Sequence, residues 1–206
     1  MKWRFEKIFL PEILFLEIMS PEQILSHPPK VLSQEQREDY FDSGYVKVEG
    51  LIPKNTLVEL RRVIDKVWDA SREETQSGTV FDLGPGHSPQ KPVLRRLKKP
   101  DEYDQVFWDF ASGLIADVAS DIAGPDVVFH HSKLNFKWND GSDEVKWHQD
   151  AQFFPHTNYN VFTIGCYLND TGLEDGPLAV MPGSHQGELY NLYHGETWAG
   201  CLTDED

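Results

Sequence analysis

Apolar positions recur along this chain with two different periods, and the change falls at Gly124-Pro125. Before that point the spacing is mostly helical. Ser33 followed by Glu35 to Phe41 predicts a short capped helix stopped by Gly44. The run YVKVEGL then alternates as a strand. Leu57, Leu60, Ile64, Val67 and Trp68 predict an amphipathic helix with Asn55 as its cap, ending near Ser71. Residues 75–100 are rich in Gly, Pro and Lys/Arg and predict a long ordered loop. Val106, Phe107, Phe110, Leu114 and Val118 mark a second long helix, from about Asp101 to Ala123.

After Pro125 the period becomes two, and three strands are expected: Val127 to Trp138, Val145 to Phe154, and Asn160 to Leu168. In the first, His131, Lys133 and Asn135 share one face and Leu134, Phe136 and Trp138 the other. In the third, Thr163 and Gly165 oppose Phe162, Ile164, Cys166 and Leu168. Helices followed by strands give an α+β order. A recurring polar face beside an apolar one suits a barrel or sandwich with a polar interior and a helical cover.

Charge narrows the partners. The 206 residues carry a formal net charge of −15, and the imbalance sits in the second half: residues 1–100 hold 16 Lys/Arg against 15 Asp/Glu, residues 101–206 hold 3 against 19. Such a half repels phosphate backbones, so nucleic acid and anionic membrane are not expected as partners; a small-molecule substrate is, and the oligomeric state is left open. Cys166 and Cys201 are too few for a disulfide framework or a cysteine-built zinc site and read as free thiols. The apolar N-terminus is broken by Glu6, Pro11, Glu12 and Glu17, which predicts neither a signal peptide nor a membrane span and makes a cytoplasmic protein the expectation. Three prolines in residues 20–33 read as a linker. The expected organisation is an N-terminal extension and linker over 1–32 and one domain over 33–206.

The candidate chemistry lies on the second strand. In Trp147-His148-Gln149-Asp150 the imidazole and the carboxylate are two residues apart, so on a strand both point into one interior space. A neutral imidazole and a carboxylate supply two of the three ligands by which non-haem Fe(II) oxygenases hold iron while keeping positions open for cosubstrate and O₂. A lone His-x-Asp is more often a surface hydrogen-bonded pair.

The surroundings change that weighting. The pieces HHSKLNFKW, KWHQDAQFFPHTN, TIGCYLND and EDGPLAVMPGSHQG, over about residues 126 to 188, resemble in order and spacing the phytanoyl-CoA dioxygenase family of Fe(II)- and 2-oxoglutarate-dependent oxygenases. The upstream SQEQREDYFDSGYVKVEGLIPKNTLVELR is similar to that family's opening helix, strand and helix. The resemblance implies a double-stranded β-helix (jelly roll, cupin-like) with N-terminal supporting helices. It also implies oxidative decarboxylation of 2-oxoglutarate to succinate and CO₂, coupled to hydroxylation of a small organic or acyl substrate. On this reading His148 and Asp150 are metal ligands and the catalytic centre. Asn135 and Thr163 serve 2-oxoglutarate, with His131 a weaker candidate for the same pocket.

The family's third iron-binding histidine and its 2-oxoglutarate-anchoring arginine lie well beyond the PGSH turn, whereas this sequence ends 21 residues after His185 and has no arginine after Arg96. His194 follows the turn too soon to sit on a returning strand. The sequence therefore reads as an incomplete domain whose last strands are missing, with unpaired edges prone to association. The alternative is a catalytically inactive fragment or pseudoenzyme acting as a binding module. Asp150 argues against a related halogenase, because halide needs that carboxylate's place. Arg95, Arg96, Lys98 and Lys99 could meet the phosphates of a CoA ester, against the blander reading of a solvated loop.

Overall fold

The computed structural model describes residues 18–138, 144–154 and 160–202. Helix α1 (Pro21–Ser26) opens on a capping box, with Ser20 accepting from the Gln23 backbone and the Gln23 side chain returning to Ser20. It occupies part of the stretch expected to be only a linker. Helix α2 (Gln34–Ser43) repeats the device with Ser33 and Gln36, and it ends at Gly44 with φ 80, as the sequence predicts. Helix α3 (Lys54–Ala70) begins two residues earlier than expected: Pro53 is the N-cap, no side chain caps the helix, and Asn55 lies inside the first turn.

The stretch expected to be a loop carries two strands, β1 (Phe81–Leu83) and β2 (Leu94–Lys98), paired antiparallel. Strand β2 also pairs with β3 (Lys133–Asn135), giving a three-stranded antiparallel sheet in the order β1-β2-β3. The segment expected as one helix over 101–123 is divided. Helix α4 (Pro100–Tyr103) stops at Asp104, whose carboxylate caps α5 (Gln105–Phe110). A π-helical turn over Ala111–Ile115, with Gly113 at φ −96 and ψ −105, then leads into α6 (Ala116–Ala123). The apolar spacing runs across these breaks because Phe107 of α5 and Val118 of α6 are both buried, and spacing alone carries no information about a short interruption between them.

Two apolar clusters hold the molecule. Leu60, Val63 and Val67 of α3 pack with Phe81, Leu94, Leu97 and Phe107, joining the sheet to the helices. Leu32, Val118 and Ile122 form the second, against which Val46, Val48, Phe162 and Ile164 pack. The predicted strands at 45–51 and 160–168 are not assigned as strands, although their alternation does its packing work: Phe162 and Ile164 turn to the core while Thr163 turns away. Of Val127 to Trp138 only β3 is ladder-bonded, and Val145 to Phe154 is no strand at all, because Asp150 opens a 3₁₀ turn over Asp150–Phe153. A two-residue ribbon, β4 (Tyr193–His194) with β5 (Thr197–Trp198), follows. Helices on antiparallel strands accord with the α+β expectation. Among the described residues no helix is long and apolar enough to cross a membrane.

Candidate active site

His148 and Asp150 meet although they do not share a strand: Nε2 of His148 lies 3.2 Å from Oδ1 of Asp150. The 3₁₀ turn beginning at Asp150 folds the carboxylate back toward the imidazole. Both side chains are positioned from behind. Nδ1 of His148 is 2.8 Å from the Lys146 carbonyl, which can only accept, so Nδ1 carries the proton and a neutral ring leaves Nε2 as a lone pair. Oδ2 of Asp150 accepts from the Thr163 hydroxyl at 2.7 Å, leaving Oδ1 for His148. Two acceptors face each other at a distance that asks for a cation or a proton between them. A carbonyl-oriented histidine and a hydroxyl-bonded carboxylate are the usual outer-shell supports of metal ligands, so the donor set fits two positions of a metal's shell. Among the described residues no group of three or more His, Cys, Asp or Glu is placed to hold a metal ion.

The pair opens on a cavity of about 440 Å³ that His131, Lys133, Phe153 and Phe154 also line. The rings of His131 and Phe154 lie 4.6 Å apart, and Nδ1 of His131 is 2.7 Å from Nδ1 of His130. Burial, with the neighbouring His130 and Lys133, holds the His131 pKa below the usual histidine value. Ser132 donates to Asp101 behind the same wall. The Phe153 ring meets His148 at 5.5 Å and Trp198 of β5 at 5.4 Å, so the terminal ribbon supports the aromatic side of the site.

Other residues go to different tasks. Asn135, expected to face cosubstrate without a protein partner, accepts from Nε of Arg96 at 3.0 Å. Thr163, expected to serve cosubstrate, donates its hydroxyl to the Asp150 carboxylate. Gln149 and Gln152 are spent on the segment after the PGSH turn: Gln149 donates to the Glu188 carbonyl and accepts from the Tyr190 backbone at 2.9 and 2.8 Å, and Gln152 donates to the Tyr190 carbonyl at 2.8 Å. His185 points away from the site, with Nε2 3.0 Å from the Phe41 carbonyl, and His194 is exposed on β4. His156 lies outside the described residues.

The cavity has a cationic wall where a solvated loop is the blander expectation. Arg96, Lys98 and Lys99 line the cavity, because β2 sits beside β3 and not in a solvated loop. The signal was present in Arg96-Leu97-Lys98, whose central leucine is fully buried while both cations face the cavity. A short strand between Gly/Pro-rich stretches has too few residues for its alternation to stand out.

Comparison with known proteins gives the class first: the relatives are dioxygenases. The particular family is phytanoyl-CoA dioxygenase, whose model matches residues 40–202, and the chain belongs to it. It is 30% identical over 168 residues to a protein of Stutzerimonas stutzeri described as a probable alpha-ketoglutarate-dependent hypophosphite dioxygenase, covering 81% of this chain and 58% of that one. The peroxisomal phytanoyl-CoA dioxygenase of Rattus norvegicus is 23% identical over 166 residues, covering 77% and 49%. An ectoine dioxygenase of Sphingopyxis alaskensis is 25% identical over 170 residues, covering 77% and 51%. The chain spans about half the length of the curated relatives it matches.

Proposed function

We propose that this chain carries the metal-binding segment of a non-haem Fe(II)- and 2-oxoglutarate-dependent dioxygenase, on a double-stranded β-helix, acting on a small organic or acyl substrate. The observation that supports it most is the pair of opposed acceptors, His148 Nε2 and Asp150 Oδ1 at 3.2 Å, each with its other polar atom bonded to a neighbour. Bound there, ferrous iron with 2-oxoglutarate and O₂ supplies oxidative decarboxylation of the cosubstrate coupled to oxygenation of the substrate.

The chain's own residues bind and orient. His148 and Asp150 hold the metal, and the Lys146 carbonyl and Thr163 hydroxyl fix their tautomer and rotamer. Asn135 serves 2-oxoglutarate from β3 in company with Arg96, which brings to that wall a cation the acidic second half does not itself supply as arginine. His131, its pKa lowered chiefly by partial burial, faces the same space. Phe153 and Phe154 keep one side of it apolar. A cavity of about 440 Å³ is of the size that takes a small molecule.

Anaerobic titration with Fe(II), followed by 2-oxoglutarate, tests the reading. His148→Ala and Asp150→Ala are each expected to weaken metal binding about tenfold or more. Unchanged affinity in both variants overturns the assignment.

A further inference from the structure

We propose that the cavity beside His148 and Asp150 selects an anionic primary substrate, recognised by Lys98 and Lys133 across the β2–β3 register. Lys98 stands directly opposite Lys133, and Arg96 opposite Asn135, so one face of the sheet carries three cations within two rungs. The opposite face carries Leu97 against Leu134, both packed on the core, which fixes the register and holds the cations together. Like charges directly opposite on neighbouring strands are destabilising, and nothing in the packing requires them here.

Among the described residues no carboxylate pairs with any of the three. Arg96 bonds to the neutral Asn135, Lys98 donates to the Gly78 carbonyl at 2.8 Å, and Lys133 faces His131. Lys99, the neighbouring cation, is already answered by Glu102 at 2.7 Å. The anionic groups nearby are Asp150 in the wall and Asp101 behind Ser132. This concentration stands out in a chain whose net charge is −15.

The inference rests on the dioxygenase reading for its account of the cosubstrate. A divalent metal would offset Asp150 and one carboxylate of 2-oxoglutarate, and the other carboxylate needs one cation. Arg96, which shares with Asn135 the role toward 2-oxoglutarate, answers that carboxylate and leaves Lys98 and Lys133 over. A second anion, such as a carboxylate, phosphonate or phosphate group on the substrate, satisfies both ammonium groups at once.

Inorganic sulfate, which coordinates metals weakly, is a suitable probe, titrated calorimetrically at low ionic strength. The metal-free chain is expected to bind it, and Lys98→Gln and Lys133→Gln each to weaken that binding about tenfold. Lys98→Arg should restore it, and Lys91→Gln, in the loop before β2, should leave it unchanged. Near-UV circular dichroism identifies a variant that has lost its fold, in which case the other lysine decides. With Mn(II) and saturating 2-oxoglutarate, sulfate affinity should persist and 2-oxoglutarate affinity should be the same in wild type and Lys98→Gln. Competitive displacement of sulfate by 2-oxoglutarate, or sulfate binding indifferent to both lysines, overturns the proposal. If Mn(II) and 2-oxoglutarate fail to bind while sulfate still depends on both lysines, the dioxygenase reading falls and the anion site stands.

Discussion

Arg37 and Asp121 lock together across 84 residues of sequence, Nε of the arginine donating to the aspartate's carbonyl at 2.8 Å. Both are buried, with relative exposures of 1% and 3%. Arg37 also donates to the carbonyls of Ile24 and His27 and to the Gln34 side chain. The Asp121 carboxylate accepts from the backbone N–H groups of Lys30, Val31 and Leu32 at 2.7 to 2.8 Å. Together they tie residues 24–34 to α6.

Asp121→Ala strands three backbone donors, two part-buried and one buried, while the backbone carbonyl that Arg37 holds is retained. The expected cost is about 3 kcal/mol, the scale seen when one partner of a buried charged network is removed. Urea denaturation followed by circular dichroism measures it, as a lower midpoint at unchanged slope.

Thr163→Val removes the hydroxyl that orients Asp150 while keeping the side chain's shape. Mn(II) affinity is expected to fall about tenfold, with the thermal midpoint nearly unchanged. A loss of stability at constant Mn(II) affinity would make Thr163 a packing residue only.

Gly44 adopts φ 80, and a Cβ there would come within 2.2 Å of the His185 ring. Gly44→Ala therefore meets both a backbone penalty and a clash, about 2 kcal/mol together. In Gly44→Ala/His185→Ala the two ring contacts are gone and only the 2.9 Å approach to Cβ of residue 185 is left, so the double variant should be more stable than additivity predicts, as a denaturation cycle would show.

Burial lowers the His131 pKa from its ordinary value of 6.5. The unfolded chain takes up that proton first, so the neutral ring's contribution to stability is full above the ordinary value and is lost as pH falls through the lower folded value. Thermal midpoints should drop more steeply on acidification in wild type than in His131→Asn.

How much of this was legible beforehand varied with the physical origin of each feature. The ends of α2 were readable, because Ser33 and Gly44 act through their own backbone geometry. The division of residues 100–123 at Asp104 and again at Gly113 was not, since core-facing residues keep helical spacing through both. His148 and Asp150 were expected to meet through a shared strand face, and they meet through a 3₁₀ turn instead; residue identity was informative where the conformation was misread. The partners of Asn135, Gln149 and Gln152 come from 38 to 41 residues away, and no local pattern encodes them.

The PGSH turn closes the end of α2: Gly183 donates its backbone N–H to the Ser43 carbonyl at 2.8 Å, and His185 sits against Phe41 from 144 residues downstream. A ten-residue helix is marginal in isolation, so α2 gains its last fixed contacts only once the polypeptide is long enough to bring that turn back. Synthesis on the ribosome therefore completes this helix's neighbourhood late. Until then the end of α2 lacks that cover, however good its own caps.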